Sequence, residues 1–206
     1  MTAYHGTVVG GIQTLLPYAN PHSNLDYPCV YLSTNKALAS IYIWNKAYKW
    51  MTFEIRGDGV PVYNESFEHG LREFYAGVKG YIYTCHADFE TDANTTIQHA
   101  VISKTPVEIS DVDVVEDACE RILAYEQKGL LVINRFEDRS EAQKSKDNNM
   151  ILAAIRRFDL LQGDHPLSGF VSSKFPQLWN EALCAAQLAD PSKNETIIQL
   201  ENGVRL

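Results

Sequence analysis

The sequence predicts an α+β fold, and three observations carry that reading. Short β-prone runs fill the first hundred or so residues. Apolar stripes at helical spacing fill most of the rest. The two kinds of segment follow one another rather than alternating, which argues against a doubly wound parallel sheet. At 206 residues, 45% hydrophobic and 21% charged, the chain has ordinary globular composition. On a prior of about 150 residues per domain it makes one domain or two small ones. The texture changes near residue 111, so the regions are 1–110, rich in strands, and 111–206, mainly helical and expected to pack back on the same core.

Each element has a local reason. Thr2 to Val9 is a β-prone run ended by Gly10-Gly11, and Ile12 to Leu16 reads as a helical turn stopped by Pro17. Residues 17–28 carry Pro17, Pro21 and Pro28 among Asn, Ser and Asp, which is loop chemistry. Cys29 to Ser33 is a strand, and Thr34 or Asn35 can cap a helix through Ala37, Ala39, Tyr42 and Trp44. Trp50 to Ile55 and Val60 to Tyr63 are strands around the turn Gly57-Asp58-Gly59. A polar segment from Asn64 to Glu73 holds a helical turn. Gly80 to Cys85 is a strand in which Tyr81 and Tyr83 share one face and pack. Ile97 to Ser103 and Val107 to Ser110 are strands broken near Pro106.

Asp111 or Asp113 is expected to cap a helix built on Val114, Val115, Ala118, Ile122 and Tyr125 and closed by Gly129. Asp138 to Leu161 reads as a longer helix, polar and solvent-facing in its first half and apolar from Met150 onward. Pro176 to Leu188 is a third helix. Thr196 to Leu206 suggests a strand and a tight turn.

Charge bounds the function. Lys plus Arg is 18, Asp plus Glu is 26, and the formal net charge is -8. Phosphate-backbone binding rests on clustered cations, so strong nucleic-acid backbone binding is not expected. No apolar run approaches the length of a membrane span and no secretory leader is evident, so a cytoplasmic protein without membrane contact is expected. Cys29, Cys85, Cys119 and Cys184 are widely spaced and read as reduced thiols, mostly buried as small apolar groups. His86 and His99 lie near the same strands, but no third ligand follows at a recognised spacing, so no metal is expected. The acidic run Asp111, Asp113, Glu116, Asp117, Glu120 lacks the glycine and spacing of a calcium loop and reads as a charged helix start.

Three short motifs stand in series. Tyr4-His5-Gly6-Thr7 opens the first strand, and Val30-Tyr31-Leu32-Ser33-Thr34 precedes a helix with Ala37 and Tyr42. Thr96-Ile97-Gln98-His99-Ala100-Val101-Ile102-Ser103 closes the strand-rich part. Each has a plain alternative. His5 and Tyr31 can be ordinary sheet residues, Tyr42 fits one helix face with Ala39, and Gln98 can be an exposed strand residue. In order and spacing, over residues 3–110, the motifs resemble the ADP-ribosyltransferase fold. They resemble most the branch in which a His, a Tyr and a Glu, Asp or Gln mark three strands of an NAD pocket.

That resemblance implies a pair of small antiparallel sheets with C-terminal helices, and NAD held as substrate between the sheets. His5 would bond the 2′-hydroxyl of the adenosine ribose, and Gly6 would let backbone groups approach the nicotinamide amide. Tyr31 would stack on the nicotinamide ring with Tyr42 as a second aromatic wall, while Thr7 and Ser33 complete the lining. Gln98 would bond the 2′-hydroxyl of the nicotinamide ribose. His5, Tyr31 and Gln98 would then carry loss of nicotinamide from the anomeric carbon and transfer of ADP-ribose to an unknown protein or nucleic-acid acceptor. The third-strand residue here is Gln rather than Glu, so it orients the ribose without full negative charge. Glu108, Glu54 and Glu73 are the alternative carboxylates. A non-catalytic nucleotide- or protein-binding module on the same fold is the second reading.

Overall fold

The structure, a computed structural model, describes residues 1–19, 25–48, 50, 52–95 and 97–189. The expected strand and turn at 196–206 and part of the expected 17–28 loop lie outside them. The chain divides into two compact units, Met1–Asp138 and Arg139–Leu206.

In the first unit the elements run β1 (Thr2–Thr7), β2 (Thr14–Leu15), β3 (Val30–Ser33), α1 (Lys36–Ile41), β4 (Phe53–Ile55) and β5 (Pro61–Asn64). Then come α2 (Gly70–Tyr75), β6 (Gly80–His86), β7 (Ala100–Ser103), β8 (Val107–Val115), α3 (Ala118–Gln127) and β9 (Val132–Asn134). Six strands form one sheet in the order β2-β8-β6-β1-β3-β7, every neighbour antiparallel. The other three form a smaller sheet, β4-β5-β9, in which β5 and β9 run parallel. The architecture is α+β, as the order of segments predicts.

Several local readings change. Residues 12–16 form no helical turn. Thr14 and Leu15 pair with Glu108 and Val107 instead. Asp111 to Val115 do not start a helix. Their β-branched alternation extends β8, where they face Thr84 to Gly80. The helix begins at Ala118, and Asp117 caps it by accepting from the Glu120 amide at 3.1 Å. Val132–Asn134 is too short to read alone and becomes a strand only through its pairing with Val62–Asn64.

The core lies on both faces of the large sheet. Ala3, Val30, Leu32, Cys85, Val101 and Val107 pack on one face. On the other lies α1, whose residues Ala37 to Ile41 are all buried. An aromatic cluster continues from there: Trp44 lies 4.8 Å from Phe74 and 5.7 Å from Tyr75, and Tyr75 lies 5.8 Å from Tyr63. The Tyr75 hydroxyl, buried in this cluster, donates to the Ile41 carbonyl at 2.8 Å.

The second unit holds α4 (Glu141–Arg157), α5 (Pro166–Lys174) and α6 (Pro176–Ala189). Ser140 and Gln143 close a reciprocal capping box at the start of α4. The first half of α4 is not wholly solvent-facing, because Asp147 is buried against Arg139 in a two-bond ion pair. His165 caps α5 by accepting from the Leu167 amide at 3.1 Å, with Pro166 at the first helical position. Ser168 donates to the Leu160 carbonyl at 2.7 Å.

Two fragments separate these units. Residues 1–138 alone should give a dispersed amide spectrum and a cooperative denaturant transition. Residues 1–110 should aggregate, because the cut removes the β8 residues that face Gly80–Thr84 together with the buried Ala118, Cys119 and Ile122 of α3. A folded 1–110 fragment would show that α3 and β9 are dispensable.

Candidate functional site

Strand β1 sits at the middle of the large sheet with unequal neighbours. It matches β6 at six register positions, Thr2↔His86 to Thr7↔Tyr81, but β3 at one, Tyr4↔Ser33. Past Tyr4 the two strands part. Residues 5–7 therefore have no register partner in β3, and the strands leave a gap there, although Gly6 itself is buried under α1.

His5 occupies this gap. Its Nδ1 lies 3.0 Å from the Tyr31 carbonyl oxygen. A carbonyl only accepts, so Nδ1 carries the proton and donates. Burial pushes the imidazole pKa below its ordinary value, against the smaller opposing effect of this hydrogen bond. The ring is therefore neutral at pH 7, and Nε2 is an acceptor with no protein partner among the described residues. That leaves one acceptor nitrogen where β1 and β3 part.

Gly6 is where helix meets strand. A Cβ on residue 6 would sit 1.8 Å from the Ala39 carbonyl oxygen of α1. No side chain other than hydrogen allows α1 to lie that close. Asn35 starts the helix, its side chain accepting from the Leu38 amide at 3.0 Å. Lys36 reaches Asp113 at 2.9 Å and lies 5.9 Å from the Tyr4 ring centre. Arg121 of α3 takes the same carboxylate with two bonds, at 2.6 and 3.1 Å. Burial opposes the charge of Asp113, but the bonds from Arg121 and Lys36 outweigh it and hold its pKa below the usual range. No linear spacing announces this Lys36–Asp113–Arg121 network, since its members come from α1, β8 and α3.

The expected site residues are only partly brought together. Tyr31 offers His5 its backbone, while its side chain lies on the other face with Leu25, Cys29 and Ile102. The period-two alternation that puts Val30 and Leu32 on the Ala3 face requires this. Ser33 and Thr7 serve local turns, accepting from the Asn35 amide at 3.0 Å and the Val9 amide at 3.2 Å. Tyr42 ends α1, edge-on to Phe53 at 6.0 Å, and burial pushes its phenol pKa up to about 12.

Gln98 is not on a strand. It is exposed in the turn before β7, which begins at Ala100. The extended run stops at His99, whose φ of 72° lies in the left-handed region. His99 is pinned there: Nε2 donates to the Gly59 carbonyl at 2.8 Å, Nδ1 meets the Thr34 hydroxyl at 3.2 Å, and the Thr34 amide donates to the His99 carbonyl at 2.9 Å. This puts Gln98 beside the Gly59 turn and near the end of β3.

The alternative carboxylates stand elsewhere. Glu108 accepts from the Thr14 hydroxyl at 3.0 Å at the β2 edge, Glu54 is exposed on β4, and Glu73 is exposed on α2. Among the described residues no group of three His, Cys, Asp or Glu is placed to hold a metal ion. No helix among them is long and apolar enough to cross a membrane. Cys29, Cys85 and Cys119 are buried and Cys184 is exposed, and burial raises the Cys85 thiol pKa to about 11.

Two measurements check this geometry. Gly6→Ala should destabilise the first unit by about 2–3 kcal/mol or more, read from denaturant midpoints, because backbone meets backbone and neither can turn away. His5 favours the neutral form when folded, so the unfolded chain takes up the proton first as pH falls. Stability should be full above about pH 6.5 and decline below it. His5→Asn, which keeps a donor for Tyr31 but does not titrate, should show a shallower slope in urea midpoints measured across that range.

Comparison of the chain with protein-family models, with curated proteins and with solved structures finds no match.

Proposed function

We propose that the chain is an NAD-dependent, mono-ADP-ribosyltransferase-like protein that cleaves the nicotinamide–ribose bond and passes ADP-ribose to a macromolecular acceptor. The observation that carries the reading is the parting of β1 from β3 after Tyr4↔Ser33, with His5 set in the gap as a neutral acceptor. A flat nicotinamide amide needs both a donor and an acceptor, and the backbone beside His5 would have to supply them. The Nε2 of His5 accepts from a ribose hydroxyl. Tyr31 borders the gap through the carbonyl it gives to His5, while its ring stands on the opposite face.

In the reaction the bond from the ribose anomeric carbon to the nicotinamide nitrogen breaks. The electron pair leaves with nicotinamide, and positive charge grows on the ribose until the acceptor's nucleophile forms the new bond. A nearby carboxylate would steady that charge. Gln98, at the lip of β7, brings only a dipole, so slow turnover is expected of this chain. The exposed, neutral Gln98 also favours the second reading, a module that binds the nucleotide without transfer.

Calorimetry with NAD and an assay for released nicotinamide test both. Wild type should bind NAD, and His5→Ala should weaken binding about tenfold, equivalent to roughly 1.4 kcal/mol for a lost hydrogen bond. Tyr31→Ala should weaken it less than His5→Ala does, because the ring stands on the face away from His5. Gln98→Glu should raise the rate of nicotinamide release, since it adds charge beside the ribose. Binding without release in both wild type and Gln98→Glu selects the non-catalytic module. No NAD binding up to about 1 mM removes the pocket assignment altogether.

A further inference from the structure

A second site lies away from the β1–β3 gap and does not rest on the NAD reading. A cleft of about 160 Å³ opens where α2 and α3 meet the ends of β5 and β9. Strands β5 and β9 are parallel, and Glu65 and Arg135 are the residues that directly follow them. Crevices beyond the carboxyl ends of parallel strands are a recurrent place for ligands, because the chain leaves the sheet there in diverging directions.

Two charges of the cleft belong to its walls. Glu65 is 3% exposed, and its carboxylate accepts from the Leu71 amide at 2.9 Å and the Phe136 amide at 3.3 Å. Arg135 is held by both oxygens of Glu126, at 3.0 and 2.7 Å. Two further charges are uncommitted. Arg72 and Glu137 both line the cleft and are exposed. Neither side chain makes a salt bridge or hydrogen bond among the described residues, although Glu137 lies within electrostatic reach of Arg135. His69 completes the rim from a left-handed backbone at φ 60°.

We propose that this cleft binds a small zwitterion of the α-amino-acid class, its carboxylate on Arg72 and its ammonium on Glu137. A simple anion would meet Glu65 and Glu137 as well as Arg72. A simple cation would meet Arg72 and Arg135 as well as Glu137. A ligand carrying both charges satisfies both sides, and the bidentate fork of Arg72 suits a carboxylate.

The test uses the full chain, titrated in turn with the standard amino acids, inorganic phosphate and methylamine while backbone amide NMR signals are followed. At least one amino acid should saturably shift the amides of residues 69–72 and 135–137, while phosphate and methylamine at equal concentration leave them in place. Arg72→Ala and Glu137→Gln should each weaken that binding about tenfold or more, and as both side chains are exposed neither change opens the core. The proposal is overturned if no amino acid binds up to about 20 mM, if phosphate or methylamine shifts the same amides as strongly, or if both variants bind like wild type.

Discussion

Helix α1 can lie on β1 only because residue 6 has no side chain. The Ala39 carbonyl occupies the space where any Cβ would stand. Much of the first unit follows from that approach. It buries Ala37 to Ile41 against the sheet, brings Lys36 to Asp113, and holds α1 where the chain enters it directly from the end of β3. The backbone carbonyl of Ile41 then receives the Tyr75 hydroxyl, which ties the aromatic cluster of α2 to the same helix. A single missing methyl group thus links the large sheet, α1 and the aromatic core.

Polar groups finish what this packing begins. His5 donates across the strand gap to a backbone carbonyl, and its burial keeps it neutral. His99 uses both ring nitrogens to join the β4–β5 turn to the end of β3. Asp113 gathers two cations from two helices. Two histidines near one pair of strands therefore differ in kind. His99 is fully engaged by the protein, while His5 keeps one nitrogen in reserve. Of the two, His5 is the one equipped to meet a ligand.

The same contrast separates the candidate residues of the gap. Thr7, Ser33 and Tyr42 have local duties in turns and in packing, so their presence in a motif reflects the chain's own geometry at least as much as a ligand's. Gln98 reads from the sequence as a residue of the third strand and stands instead in the turn before β7. That position is not legible locally, since a left-handed residue at His99 follows from hydrogen bonds to Gly59 and Thr34, partners remote in sequence. The charged cleft at Glu65, Arg72 and Glu137 left no trace in any motif, because three separate chain segments bring its residues together.

The sequence by itself determined what depends on neighbours along the chain. The α+β order, β1, β3 and β6, the Gly57–Gly59 turn, a cap at Thr34 or Asn35 and α6 are all set by side-chain alternation, turn residues and capping within a few positions. Tertiary structure decided the rest. Asp111 to Val115 became strand because Gly80 to Thr84 offered a ladder, and Val132–Asn134 became strand because β5 lay beside it. Tyr31 and His5 fell on opposite faces through the register of β3 against β1, which no local pattern specifies. The parting of those two strands depends on which edges pair over a distance, and pairing free energy between remote segments is not written in either segment alone.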